Sequence, residues 1–304
     1  MEKRNQLRIA AYGTHIFSDG AKALETILRE KGYAVALNYL SAALASETKN
    51  KNSSSCLTTL AAEALLSGDA DVLVLPLSCV PLQMPEGIVM TALSGRSNEQ
   101  VCLVINEAVA QPGVTLPLPQ GAHVVVTADI LGRQLITYRP DVQLSNVSLF
   151  MAANIYEGDF GDFDAFLTGL TSEMQQNLSA KGKVVVPLHP REFVPLPGSG
   201  LTAYLCCKDD LETRKTMLAA HHKSIVAEAN VERQLSKIAG ETAPQRVAAK
   251  CQIDQNGHYH LWCAYLHAQN GMLQRTAVSS STSFQLAEQA WSRLEKNEQK
   301  SFFH

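Results

Sequence analysis

The sequence predicts an α/β protein of three domains. Strand-like apolar runs alternate with helical patterns along most of the chain, which is typical of a parallel sheet with helices on both faces. Three strand-like runs then follow one another and a helical stretch closes the chain, which is typical of a small α+β domain. With 304 residues and 33.0 kDa, the chain is long enough for two or three domains.

The first αβ unit is predicted from the start of the chain to the strand Val101–Ile105. Its first helix is capped by Ser18 or Asp19 and stopped by Gly32. The polar stretch 45–55 predicts a loop. The remaining elements expected here are strand Leu7–Gly13, strand Val35–Leu40, helix Leu57–Leu66 and strand Asp71–Leu77.

A second αβ unit and a smaller domain are predicted after the Pro- and Gly-rich stretch 110–121. The second unit is expected to contain strand His123–Thr127, helix Ile130–Tyr138, helix Leu149–Tyr156, strand Phe163–Leu167 and helix Thr171–Ala180. The proline-rich segment Pro187–Cys207 predicts a crossing segment that ends in a strand. Helical stretches to Ala239, strands Val247–Ile253, His258–His267 and Leu273–Val278, and helix Phe284–Glu298 complete the prediction.

Composition and charge exclude several classes of protein. The net charge of -3 offers no basic footprint for nucleic acid. No apolar run approaches the length of a membrane helix, and the N-terminus has no signal-peptide core. The 7 cysteines include no CxxC pair, which favours reduced thiols. We therefore expect a cytoplasmic monomer with no nucleic-acid or membrane partner.

Histidines and cysteines are the candidate reactive groups. His258 and His260 share a strand face with Cys263, but a half-exposed strand explains them, and no metal site is predicted. His221 and His222 are expected to cap a helix in solvent. The apolar run Asp71–Gly87 ends at Ser78 and Cys79, where an open α/β sheet binds its ligands. Cys79 fits a redox or nucleophilic thiol, or a small buried side chain; the absence of neighbouring His or Lys favours burial.

The stretch DVLVLPLSCVPLQMPEG resembles hydroxymethylbilane synthase (porphobilinogen deaminase), whose motif reads D-I-A-V-H-S-L-K-D-V-P-x-x-x-P-E-G. The segment REFVPLPGSGLTAYLC is similar to the family's E-x-F-L-P-A-P-G-Q-G-A-L-A-I-E-C. The segments LRIAAYGT, RPD and VERQLSKIAG also resemble family motifs, and all occur in the family's order. The resemblance therefore extends over nearly the whole chain.

The resemblance implies two lobes of the type II periplasmic-binding-protein kind with a central cleft, plus a small α+β C-terminal domain. Lobe 1 is expected at 1–98 and 194–216, lobe 2 at 99–193, and the C-terminal domain at 217–304. In the family the active site lies in the cleft between the lobes.

The resemblance also implies the site positions. The family's catalytic carboxylate falls on Cys79, its paired arginines fall on Leu131 and Gly132, and Arg133 substitutes if the register slips. The cysteine that attaches the cofactor falls on Ala243, or on Thr242 after a shift of one residue. The positions equivalent to the family's substrate site are Tyr12, Thr14, Ser78, Cys79, Arg96, Thr127, Leu131, Gly132, Arg133 and Ser148.

These losses predict a changed activity. The family deaminates porphobilinogen onto a dipyrromethane held by a cysteine thioether, and it needs that thiol, a carboxylate and several arginines. We expect deaminase activity to be lost or strongly reduced, no dipyrromethane cofactor, and a role in binding or regulation with a small-molecule or tetrapyrrole-like ligand. One alternative is an active synthase with Cys251 as the anchor, Asp129 as the carboxylate, and Arg96 and Arg133 as anion partners. Another is an unrelated small-molecule-binding module that uses the two-lobed cleft.

Overall fold

A computed structural model describes residues 6–12, 15–40, 61–114, 116–147, 153–240, 246–267 and 271–301. The described strands are β1 Leu7–Tyr12, β2 Val35–Leu40, β3 Val72–Pro76, β4 Ile88–Leu93, β5 Gln100–Asn106, β6 His123–Val126, β7 Gln143–Asn146, β8 Ala165–Leu170, β9 Lys183–Pro187, β10 Thr202–Cys207, β11 Val247–Ile253, β12 Tyr259–Leu266 and β13 Leu273–Ser280. The described α-helices are α1 His15–Glu30, α2 (61–66), α3 Asp129–Tyr138, α4 Ala153–Tyr156, α5 Ser172–Ala180, α6 Leu211–Met217, α7 Val226–Ala239 and α8 Leu286–Ser301.

The chain forms two compact units. The first combines Met1–Ser97 with Gly200–Val226, and the second combines Asn98–Ser199 with Ala227–His304. The first unit contains a five-stranded sheet in the order β2-β1-β3-β10-β4. In this sheet β1 is parallel to β2 and to β3, whereas β10 is antiparallel to both of its neighbours.

Helix α1 shows how an apolar stripe fixes a helix on the first sheet. Ala21, Leu24 and Leu28 recur at helical spacing and are fully buried in the core of this unit. The helix ends at Gly32, whose φ of 85° is a conformation that glycine adopts readily. The Tyr33 N–H then donates to the Leu28 carbonyl at 3.0 Å and closes the helix end.

The second unit contains two sheets. A five-stranded sheet has the order β7-β6-β8-β5-β9, with β6 parallel to β7 and β8, and β5 antiparallel to β8 and β9. The three-stranded sheet β11-β12-β13 is antiparallel throughout. One face of it packs on α7 and α8, and the opposite face joins the core beneath α3. The small third sheet is thus covered on both sides.

The fold-class prediction of two α/β lobes and a small α+β domain is confirmed by these three sheets. The predicted parallel sheet is confirmed for β1, β2 and β3. It is wrong for β10, which returns from the crossing segment and inserts antiparallel between β3 and β4. The short strands β4, β7 and β9 were not foreseen. The predicted domain boundaries stay a prediction, since the third sheet belongs to the same compact unit as the second.

Some predictions lie outside the described residues. The polar loop 45–55 is among them, as is the start of the helix predicted over Leu57–Leu66. The helix predicted over Leu149–Tyr156 is described only as α4. Among the residues that the structure describes, no helix combines the length and apolar character needed to span a membrane.

Candidate functional site

Tyr12 and Cys79 lie side by side at one edge of the first sheet. Strand β1 ends at Tyr12, and β3 is followed at once by a 3₁₀ turn, Leu77–Cys79. Because β1 and β3 are parallel, their carboxyl ends meet at the same edge, where α/β sheets bind ligands. Both side chains are buried. Burial raises the pKa of Tyr12 to about 12, and the nearby Cys79 adds to the same effect.

Arg96 follows β4 at the same edge of the first sheet. The segment after β4 continues the pairing with the start of β10, since the Ser97 N–H donates to the Gly200 carbonyl at 2.7 Å. The Leu77 N–H in turn donates to the Leu201 carbonyl at 2.8 Å. Arg96 is half-buried, and its Cγ would lie 3.4 Å from a Cβ added at Gly200. The edge therefore brings together a phenol, a thiol and a guanidinium.

Two histidines border this segment, which the sequence did not predict. The Leu93 N–H donates to His221 Nδ1 at 3.2 Å, and the His222 N–H donates to the Leu93 carbonyl at 3.0 Å. The His222 ring lies 3.3 Å from a Cβ added at Gly95, beside Arg96. The prediction of a solvated helix cap is confirmed for His222, which is exposed and precedes the 3₁₀ helix Lys223–Ile225. It is wrong for His221, because the ring of His221 accepts a hydrogen bond from Leu93 at the end of β4.

A chain of three hydroxyls leads to the carboxyl end of β6 in the second unit. The Tyr156 hydroxyl lies 2.7 Å from the Thr168 hydroxyl, and Thr168 lies 3.4 Å from that of Thr127. Tyr156 and Thr168 are buried, whereas Thr127 is half-buried. Thr127 was predicted as a site residue, but its two partners lie on separate elements and carry no motif. The arrangement presents a positioned hydroxyl at the strand end.

Asp129 is the first residue of α3 and lies two residues beyond Thr127. Its carboxylate accepts a hydrogen bond from the Asn146 side-chain amide. A carboxylate at a helix N-terminus is stabilised by the helix dipole. The same end of the helix would otherwise attract an external anion. Asp129 therefore makes the start of α3 a poor site for an anionic ligand.

The positions where the resemblance places the family's paired arginines carry no buried cation. Leu131 packs in the core of the second unit. A Cβ added at Gly132 would lie 2.7 Å from Leu144 Cδ1, so any side chain there must displace Leu144. Arg133, one residue on, is exposed. This turn of α3 therefore contributes apolar core contacts and no buried cation for a ligand.

Several residues that match the family motifs form buried or bidentate ion pairs and hydrogen bonds that hold backbone segments in place, and we call these arrangements clamps. In the first unit Arg8 binds the buried Asp71 with two side-chain bonds of 2.8 and 3.2 Å. In the second unit Arg139 binds Asp141 in the same bidentate way, at 2.8 and 2.7 Å. Arg139 also donates to the carbonyls of residues 116, 118 and 119, and its hydrogen bond holds the pKa of Asp141 well below its usual range. Both pairs fix backbone segments.

Glu232 is the third clamp and lies on α7. Its buried carboxylate accepts the Gly198 N–H at 2.7 Å and the Cys251 N–H at 2.8 Å. Gly198 has a φ of 82°, which glycine adopts without the strain that other residues incur. The glycine turn of the PGSG segment is thereby fastened to β11 within the second unit.

The thiol proposed as an alternative anchor lies in a core. Cys251 has 0% relative exposure and belongs to the apolar cluster between the third sheet and its helices. Its backbone is held by Glu232. The predicted positions Thr14, Ser148, Thr242 and Ala243 lie outside the described residues. Across the described part of the chain, no group of three or more His, Cys, Asp or Glu side chains could hold a metal ion.

The two mixed sheets, with polar residues gathered at the carboxyl ends of their strands, define an α/β protein with ligand sites at sheet edges. A family model described as "Porphobilinogen deaminase, dipyromethane cofactor binding domain" matches residues 43–215, which is more than half of the chain. The chain therefore belongs to the porphobilinogen deaminase family. This is the lineage of tetrapyrrole synthesis, as the resemblance predicted.

Curated porphobilinogen deaminases are similar over part of the chain. The protein of Fusobacterium nucleatum is 24% identical over 58% of this chain and 57% of its own length. That of Xylella fastidiosa (strain M23) is 29% identical over 51% and 53%, respectively. That of Streptococcus sanguinis is 25% identical over 76% and 74%. The chain thus spans less than two thirds of the length of the first two relatives.

Solved structures are similar only at a low level. YhfZ from Shigella flexneri gives a TM-score of 0.36 at 17% identity, covering 80% of this chain and 94% of that one. The arginine-bound form of truncated ArgBP from T. maritima gives 0.37 at 12% identity, covering 71% and 95%. At these scores neither likeness supports an argument about the site.

The expectation that the chain has no cofactor is wrong. The matched region is the domain that binds dipyrromethane in the family, which points to that cofactor. The described residues fit parts of such a group. The Thr127 hydroxyl can accept a pyrrole N–H, and Arg96 and Arg133, in their separate units, are cations of the kind that pair with carboxylates.

Proposed function

We propose that this protein binds a dipyrromethane-class tetrapyrrole precursor and has strongly reduced deaminase activity. The observation that supports the proposal is the thiol of Cys79, which stands where the resemblance places the family's catalytic carboxylate. Both Cys79 and the nearby Tyr12 are buried. Charge stabilisation of a transition state by a fixed polar group is worth about 10²–10³ in rate. Neither a buried phenol nor a buried thiol replaces a carboxylate in that role.

The lost arginine positions support the same proposal. Each charged hydrogen bond contributes about 1.5–3 kcal/mol. Leu131 and Gly132 supply no such bond, and the Asp129 carboxylate disfavours an anion at the start of α3. The ligand is therefore expected to bind more weakly than it would to a family member that has both arginines, and to be turned over slowly.

The experiment measures binding and turnover separately. The purified full-length chain is incubated with porphobilinogen beside an active family member, and porphyrin formation is followed after oxidation. Intact mass spectrometry detects a bound pyrrole adduct, and calorimetry measures the affinity for a synthetic dipyrromethane. We expect binding of the dipyrromethane and a turnover about 10²-fold or more below that of the active protein.

A matched pair of variants tests the role of position 79. Cys79→Asp adds the missing carboxylate, and Cys79→Asn adds a group of the same shape without its charge. Only Cys79→Asp should increase turnover. Full activity in the unmodified chain would refute the loss of catalysis, and a lack of dipyrromethane binding would refute the binding role.

A further inference from the structure

Arg275 lies on β13 and faces α3 within the second unit. Its guanidinium carbon is 5.6 Å from the centre of the Tyr138 ring, and Nη1 donates to the Tyr138 hydroxyl at 3.3 Å. Tyr138 stacks in turn on Phe193, with ring centres 5.3 Å apart. This stack holds the guanidinium in a fixed orientation on the face of the third sheet.

One edge of this guanidinium has no acceptor. Arg275 Nε and Nη2 are both buried, and neither has a hydrogen-bond partner among the described residues. No carboxylate of the described residues lies within salt-bridge distance of it. Buried charged donors without acceptors are costly, because the hydration that they lose is not replaced. A group outside the described residues is needed to satisfy this edge.

Two other arginines show what this edge binds. Arg8 presents Nε and Nη2 to the carboxylate of Asp71, and Arg139 presents the same two atoms to Asp141. These two nitrogens form the planar fork that matches a carboxylate or a phosphate with two parallel bonds. In Arg275 the same fork is held in place without its oxyanion.

The surrounding sheet face carries positive charge. In the sheet register Ala264 lies opposite Arg275, and Trp262 lies opposite Lys250, so these side chains share one face. Arg191 is placed over the Trp262 ring at 5.5 Å. The alternating residues of β11, β12 and β13 on this face include no Asp or Glu. The groups around the Arg275 guanidinium on this covered face are therefore cations and aromatic rings rather than carboxylates.

We propose that the Nε–Nη2 edge of Arg275 binds an oxyanion, either a carboxylate or a phosphate group. The Tyr138 hydroxyl accepts from Nη1, which leaves its own proton available to the same oxyanion. Tyr138 is 43% exposed, so a shift of this side chain is the route by which an oxyanion would reach the buried edge. This site is independent of the proposed pyrrole ligand, because it uses none of the residues at the strand ends.

The test observes the Arg275 Nε–H directly by ¹⁵N nuclear magnetic resonance of the full-length chain. Inorganic phosphate and acetate are titrated in separate arms, with sodium chloride keeping the ionic strength constant. A saturable shift of the Arg275 signal in either arm supports the proposal, and the arm that saturates identifies the oxyanion. The proposal is overturned if the Arg275 signal shows no saturable shift with phosphate and none with acetate.

Variants provide the second measurement. Arg275→Lys retains the charge but loses the planar fork, so affinity for the oxyanion should fall about tenfold or more. Arg293→Lys is the matched control, because Arg293 is exposed and donates to the carbonyl of Ala277, two residues along the same strand. Arg293→Lys should bind the oxyanion with the same affinity as the unmodified chain. Equal affinity in Arg275→Lys and in the control would refute the assignment of the site to Arg275.

Discussion

Removing the buried carboxylate of Glu232 should destabilise the second unit more than any change on the exposed face of α7. In Glu232→Ala, the N–H groups of Gly198 and Cys251 lose acceptors at 2.7 and 2.8 Å. An unsatisfied buried donor costs about 1–3 kcal/mol, so the pair should lower the free energy of unfolding by about 2–6 kcal/mol. Glu232→Gln keeps one acceptor oxygen and should cost about half as much.

The control for this prediction lies one helical turn away. Glu228 accepts the N–H of Ile253 on the same strand, but at 3.3 Å and in an exposed setting. Glu228→Ala should therefore cost less than about 1 kcal/mol.

Urea unfolding followed by tryptophan fluorescence is a suitable assay. Both tryptophans, Trp262 and Trp291, lie in the second unit, on β12 and α8. The unfolding slope of each variant must match that of the parent for the midpoints to be compared. If Glu232→Ala unfolds within about 1 kcal/mol of Glu228→Ala, the buried carboxylate is not the clamp that its hydrogen bonds indicate.

Three further predictions concern packing and pH. Gly132→Ala should lower the free energy of unfolding by about 1 kcal/mol, because the added methyl group displaces Leu144. In a Leu144→Ala background the same change should raise it by up to about 1 kcal/mol, because alanine has the higher helix propensity. A destabilising effect in both backgrounds would contradict the packing argument. Because Asp141 has a lowered pKa in the folded state, its stabilisation is present above about pH 4 and is lost as the pH falls. In urea unfolding measured at a series of pH values, Asp141→Asn should reduce the loss of stability between neutral and acidic pH. The same loss in Asp141→Asn as in the parent would refute this prediction. Burial raises the pKa of Tyr12 and Tyr204 to about 12, so the free energy of unfolding should fall as the pH rises from about 10 to 12. In a spectrophotometric titration of the folded chain, these two tyrosines should not contribute to the tyrosinate absorbance until the pH approaches 12.

Much of the fold followed from local patterns. The all-apolar strand β3 and the stripe of α1 were predicted within a few residues, because burial of a face imposes a regular spacing. The antiparallel insertion of β10 was not predicted. Strand direction within a sheet depends on a pairing between Thr202 and Pro76, which are far apart in sequence.

The candidate site was predictable only in part. Cys79 was named because strand ends carry the ligand sites of α/β sheets, and Tyr12 was named from the resemblance; the two residues do lie close together. The Thr168 and Tyr156 hydroxyls were missed, because a hydrogen bond between two elements leaves no spacing in the sequence. The cofactor was wrongly excluded because attachment was judged from one position, Ala243, whereas the family match rests on 43–215.

The fit between Gly132 and Leu144 also constrains how this protein can change over evolutionary time. A bulky residue at position 132 meets Leu144 Cδ1 before it can reach any ligand. A lineage that introduces a guanidinium there must also make room at position 144, either by a shift of the Leu144 side chain or by a smaller residue on β7. The effect of a mutation at position 132 thereby depends on which residue β7 carries at position 144.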